Sequence, residues 1–261
     1  GAAGFFRLAL VKDSTHEEAM RNLAQIHIQR SEYDTAIGLY QRLYGNRFWG
    51  GIYGKTLGLL YYYNDEYDSA RVLLEELLAS NIDDFELHYY LGLVAAAQED
   101  TALARLQFEK TIALHDGFED AWRQLCYLSM KKGDWDAVEV CAKRFTEALP
   151  ENSTAWRMRG SACNGRGQYE KAIPFLRTAI KIDSTDSYAW FELGSAFERQ
   201  KEIDSAAHAF RRVLVLRPDD AVAANYLGYM WAEQGIKLDS ALTLIEQALE
   251  KETENGAYLD S

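Results

Sequence analysis

Gly54-Lys55-Thr56 has the composition that ends a phosphate-cradling loop, where a lysine and a hydroxyl hold a nucleotide's terminal phosphates. That chemistry needs a glycine five places before Gly54, and Trp49 stands there instead. Metal chemistry would draw on His16, His27, His88, His115 and His208 and on Cys126, Cys141 and Cys163. No two of these histidines stand four apart, none lies beside a cysteine at ligand spacing, and no CxxC occurs. An odd cysteine count argues against a disulfide framework and favours a reducing compartment, although one pair could form in an oxidising one. Glu75-Glu76, Asp83-Asp84 and Asp219-Asp220 suit solvated faces and helix starts better than an acid–base dyad. Gly160, Gly165 and Gly167 do not match a dinucleotide fingerprint. No nucleophile, base and orienting group can be assembled, so the expectation is a non-enzyme with no catalytic residues, no cofactor and no metal.

The bulk properties narrow the partners. The chain has 261 residues, is 48% hydrophobic and 26% charged, and carries a formal charge of −12. Such an acidic surface repels phosphate backbones, which makes nucleic acid a poor partner. No apolar run approaches the ~18 residues of a membrane span, and Gly1-Ala2-Ala3-Gly4-Phe5-Phe6-Arg7 lacks the layout of a secretion signal. The expectation is a soluble protein, cytoplasmic or periplasmic, whose N-terminus is truncated. Three prolines, Pro150, Pro174 and Pro218, are few helix breakers for this length.

Four residue types share one period. Leucine falls at 23, 57, 91 and 125, alanine at 2, 36, 70 and 104, tryptophan at 122, 156 and 190, and glycine at 160, 194 and 228, always 34 residues apart. A period of this length marks stacked helical units, none able to bury its apolar face alone. Numbering each unit 1 to 34 gives a partial unit at 1–16, full units at 17–50, 51–84, 85–118, 119–152, 153–186 and 187–220, a unit at 221–254 with one extra residue, and the start of another at 255–261. The extra residue, near Gly235-Ile236-Lys237-Leu238, puts Ala241, Ile245 and Ala248 one step late. Positions 4, 7, 8 and 11 form a stripe on a first helix, and 20, 24 and 27 one on a second. The small residues at 8 and 20 predict close helix approach, filled around by large ones at 4, 7, 11 and 24. Glycine in Lys132-Gly133-Asp134-Trp135 and Arg166-Gly167-Gln168-Tyr169 predicts a left-handed helix end, covered by the aromatic two places on. His27 and His88 fall on core positions and should be buried. Cys126 and Cys163, at positions 8 and 11 of adjacent units, read as small packing residues that could touch, and Cys141 at position 23 as exposed. Tyr44-Gly45-Asn46-Arg47-Phe48-Trp49-Gly50-Gly51 predicts a loose or bent joint.

Trp190-Phe191-Glu192-Leu193-Gly194-Ser195-Ala196-Phe197, followed by Ala206, Phe210 and Pro218, resembles the signature of the tetratricopeptide repeat family. The resemblance covers essentially the whole chain, and the tract from Asn225-Tyr226-Leu227-Gly228-Tyr229 onward is similar to repeats of bacterial multi-repeat proteins. It implies an all-α, right-handed superhelical solenoid of antiparallel helix pairs, a single array over 1–261, cut from a longer one, whose concave groove binds a peptide or protein segment.

In that family positions 2, 5, 9, 12 and 13 of the first helix line the groove. Here they place Arg21, Lys55, Arg123 and Arg157 as inner cations beside an apolar, tyrosine-rich wall of Leu59, Tyr62, Tyr63, Tyr89, Leu93, Tyr127 and Met130, with Phe191 further on. Tyrosine couples large contact area with a hydrogen-bonding tip, and the cations would draw in negative charge. The expected ligand is an extended or amphipathic segment with apolar anchors and some acid. The competing reading packs the tyrosines on neighbouring helices and pairs the cations with Glu18, Glu86 or Asp120. A carboxylate clamp known in the family needs asparagine at position 9, which never occurs here. The function expected is a non-catalytic protein-interaction scaffold; the alternatives are a self-assembly module or the substrate-recruiting part of a larger enzyme.

Overall fold

The computed structural model describes residues 1–45 and 50–251, and every regular element among them is a helix. The expected loose joint lies mostly, and the expected further helix at 255–261 wholly, outside the described residues. The fold is an all-α solenoid of antiparallel helix pairs, divided into two compact units, Gly1–Ala121 and Trp122–Ser261.

The first unit runs α1 (Ala2–Lys12), α2 (Glu17–Gln29), α3 (Tyr33–Tyr44), α4 (Gly50–Tyr63), α5 (Tyr67–Ser80), α6 (Phe85–Ala97) and α7 (Thr101–Leu114). Helix α8 (Glu119–Lys131) crosses the division. The second unit continues with α9 (Trp135–Ala148), α10 (Ser153–Gly165), α11 (Tyr169–Ile182), α12 (Ser187–Arg199), α13 (Ile203–Leu216), α14 (Ala221–Glu233) and α15 (Leu238–Lys251). Within each unit a first helix packs on its own second helix, which packs on the next first helix.

The small residue at position 8 explains how the pairs close. A Cβ added to Gly58, Gly92, Gly160 or Gly194 would stand 2.8, 2.6, 2.4 or 2.9 Å from Leu74, Phe108, Leu176 or Phe210, the position-24 residue of the same unit. These four large side chains are fully buried. Gly228 meets Ile245 in the same way, as the one-residue shift required. Tryptophan at position 4 also ties the unit joint: the Trp156 indole donates to the Pro150 carbonyl at 2.7 Å and that of Trp190 to Ser184 at 3.0 Å.

The turn inside each pair is uniform. Ser31, Asp65, Glu99, Gly133, Gly167, Lys201 and Gly235 all hold φ between 57° and 70°, each at position 15. The extra residue of the last unit adds a second left-handed residue, Lys237. Each turn closes with a backbone bond from the following amide back to the last helical turn, such as Glu32 N–H to the His27 carbonyl at 2.9 Å. Asp84, Asn152, Asp186 and Asp220 cap the next first helix through their side chains.

His27 and His88 are buried as expected; the His88 ring bridges Gln107 at 2.6 Å and the Ile82 carbonyl at 2.9 Å. The cysteines depart from expectation. Cys141 is buried and forms a disulfide with Cys126, Cα to Cα 5.6 Å, while Cys163 is a buried free thiol. The physical reason is that position 23 belongs to the buried stripe of the second helix, where Leu39, Leu73, Gln107 and Ala209 are buried too.

Candidate protein-binding surface

The residues expected to line a groove lie on the first helices, and each unit treats them differently. In the first unit Lys55 is half-buried, and its ammonium lies 2.6 Å from both Asp84 and Glu86. Burial by itself would lower the Lys55 pKa; the hydrogen bonds and charges of the two carboxylates overcome this and leave it above the ordinary lysine value. Asp84 uses one carboxylate oxygen to cap α6 and the other to hold Lys55, so one residue starts a helix and ties α4 to α6. Arg21 is exposed on α2.

Tyr63 is 53% exposed and stacks on Tyr33 with 5.9 Å between ring centroids. Tyr62 packs against Tyr63 and Tyr67, and burial raises its phenol pKa. Leu59 and Leu93 are half-buried. Tyr89 is buried, edge-on to Phe118 at 4.9 Å and beside Phe108, so it holds helices together and offers little surface. Tyr33 and Tyr90 were not singled out in the sequence and both belong to this aromatic group; burial, then the charge of Glu86, raises the Tyr90 pKa. Tyr33 stands at position 17, whose aromatic reaches position 13 of the next unit. The same contact recurs in the second unit, where the Trp135 ring covers Gly165.

In the second unit Arg157 is mostly buried and its Nε–H donates to Asp186 at 3.0 Å, with the guanidinium 5.5 Å over the Tyr188 ring. Asp186 is also the cap of α12, which repeats the Lys55–Asp84 arrangement. Arg123 and Tyr127 are exposed, Tyr127 at 56%, and Met130 is half-buried. Phe191 sits edge-on to Phe210 at 5.5 Å and Tyr226 at 5.7 Å, a packing position. Tyr188 and Tyr229, 58% and 50% exposed, add open aromatic surface that the sequence reading left out of the candidate set. Two of the four expected cations are thus already neutralised by helix caps, while Arg21 and Arg123 are exposed on the first helices together with the open tyrosines.

Among the described residues no group of three or more His, Cys, Asp or Glu is placed to hold a metal ion. None of their helices is long and apolar enough to cross a membrane.

Models of the tetratricopeptide repeat match residues 19–46, 55–117 and 191–258, and a TPR repeat model matches 160–201. The chain is 28% identical over 176 residues to tetratricopeptide repeat protein 37 of Xenopus laevis, covering 64% of this chain and 11% of that protein. It is 27% identical over 178 residues to a TPR repeat-containing protein of Pseudomonas aeruginosa, covering 67% of this chain and 30% of that one. The chain therefore spans less than a third of the length of these relatives. Yeast Tom70 superposes with a TM-score of 0.70 over 99% of this chain and 56% of its own, at 15% identity, a likeness of fold alone. With its helix pairs closed at positions 8 and 24 and its sequence matched across both units, the chain belongs to the tetratricopeptide repeat family.

Proposed function

We propose that the chain is a protein-interaction scaffold whose first helices hold a partner segment against tyrosine. The observation that carries this is the half-exposed set of Tyr127, Tyr188 and Tyr229 in the second unit, with Tyr63 a separate half-exposed phenol in the first. Most other large aromatics of the array are spent on packing; Tyr127 and Tyr229 offer the most open surface, whereas Tyr63 shares a face with Tyr33 and Tyr188 carries Arg157 and Arg217 over its ring. Mechanistically the scaffold acts by presentation: helices locked by close crossings hold the contact residues in place, so binding orders little of the receptor. Glu86 and the caps Asp84 and Asp186 already hold Lys55 and Arg157, so the cations orient the first helices more than they attract acid.

Affinity capture from the source cell with the wild-type chain and the Tyr63→Ala, Tyr127→Ala, Tyr229→Ala variant tests it. Capture is expected to fall at least tenfold while helicity by circular dichroism is unchanged. Unaltered capture at unaltered helicity would sink the proposal. A second reading, self-association, is favoured by one apolar face: Phe5, Leu8 and Val11 of α1 are 71%, 66% and 84% exposed. Light scattering on serial dilutions separates the two, since only self-association makes the mass fall on dilution.

A further inference from the structure

Two open recesses of the second unit share one architecture. They lie between consecutive second helices, with a first helix as floor, and they repeat in register. One recess of about 440 Å³ is walled by Ile180 of α11, by Trp190, Leu193 and Phe197 of α12 and by His208 of α13, with Arg177 and Asp204 among its polar lining. The next, about 360 Å³, lies across α11 and is lined by Arg159, Cys163, Arg166, Lys171 and Phe175, with Glu139 opposite. The first is apolar and aromatic. The second gathers three cations in a chain whose formal charge is −12.

Arg159 marks the second recess as unusual. It occupies position 7, where Leu23, Leu57, Leu91, Leu125, Leu193 and Leu227 fill the core. Its guanidinium lies 4.2 Å over the Phe175 ring and 3.6 Å from Glu139, and its buried Nε has no hydrogen-bond partner. A buried N–H without a partner leaves free energy to be regained by an acceptor. Arg166 pairs with Asp136, itself 82% exposed, and an ion pair so wet is weak. Lys171 is exposed and has no ion pair among the described residues. Helix α11, which separates the recesses, carries Lys171, Arg177 and Lys181 against Glu170 alone.

We propose that this second-helix face of the second unit is a docking site for an acidic segment of a partner protein, one large apolar side chain entering the Trp190–Phe197 recess and a carboxylate entering the Arg159–Lys171 recess. Charge complementarity selects this occupant: the cationic recess lies beside an apolar one of ligand size. The recesses are separated by one helix, about 10 Å, so the anchor and the carboxylate stand about three residues apart in an extended segment. The site is independent of the first-helix tyrosines.

The test uses the whole chain and a fluorescein-labelled peptide, Gly-Ser-Phe-Ser-Ser-Glu-Glu-Ser amide, read by anisotropy. Saturable binding is expected, weakened at least tenfold when the peptide phenylalanine is replaced by serine or its glutamates by lysines. Arg166→Glu with Lys171→Glu, both exposed, should weaken it equally, and Ser205→Trp, which fills the apolar recess, likewise, with helicity retained in each. Tyr127→Ala with Tyr229→Ala should leave binding unchanged. The proposal is overturned by absence of saturable binding at millimolar peptide, by equal binding of the lysine peptide, by loss of binding in the tyrosine variant alone, or by a labelled oligonucleotide binding in the acidic peptide's place.

Discussion

Glu99 concentrates two unfavourable choices in one residue. Its φ of 61° is left-handed, a conformation that costs an L-residue about 1–2 kcal/mol and glycine almost nothing. Its carboxylate also stands at the end of α6, where the helix dipole favours positive charge. Gly133, Gly167 and Gly235 show what the same position accepts elsewhere. Glu99→Gly should therefore raise the unfolding free energy by about 1 kcal/mol, measured by urea titration with an unchanged slope. A fall would mean that the glutamate side chain holds something in place. The same position shows the limit of a sequence reading. The left-handed turn was legible at Gly133 and Gly167, but not at Ser31, Asp65, Glu99 and Lys201, because there the backbone bonds of the turn impose the conformation on residues that do not prefer it. Lys55 and Arg157 were legible as cations on the first helices. Their tethering by Asp84 and Asp186 was not, because those caps stand 29 residues on in sequence and only the stacking of units brings them near.

At the scale of the helix pair, α8 and α9 solve the crossing differently from their neighbours. In α4–α5, α6–α7, α10–α11 and α12–α13 glycine at position 8 admits a large residue at position 24, and α2–α3 sets Ala24 against Tyr40 in the same register. In α8–α9 Cys126 and Ala142 occupy those positions, and the Cys126–Cys141 disulfide joins the two helices across the gap. The period of 34 made the crossing legible, since it repeats the same small residues. The partner of Cys126 was obscured, because the stripe was drawn through positions 20, 24 and 27 and left out 23. Leu39, Leu73 and Ala209 at that position carried the missing signal. Cysteines 15 apart close a loop whose cross-link contributes about 3 kcal/mol. Cys126→Ala with Cys141→Ala should lower stability by about that amount, and dithiothreitol should lower the melting temperature of the wild type but not of the variant. Alkylation before and after reduction, read by mass, checks that the bond is present in the protein melted. Equal melting of wild type with and without reductant, the bond being present, would remove the role assigned to it.

For the molecule as a whole, the packing is a chain of neighbours. From α1 to α7, and again from α9 to α15, each helix packs on the next, and first helices also meet as α4 with α6 and α10 with α12. The buried clusters follow the same rule: one gathers Leu23, Tyr40 and Leu57, another Leu74, Leu87 and Leu91, and a third Leu176, Phe210 and Leu227. Stability in such an array is a sum of pair and interface contributions, not a property of one core. A local defect should then spread to adjoining helices and fade. Gly160→Val supplies that defect. The Leu176 side chain lies 2.4 Å from where even a Cβ would stand, and Leu176 is fully buried, so overpacking costs about 3 kcal/mol. Amide exchange followed by mass spectrometry should lose protection in α9 to α12 and retain it in α2 to α5. Uniform loss along the whole chain would mean that the array unfolds as one body, because only then does strain at a single crossing lower every helix equally.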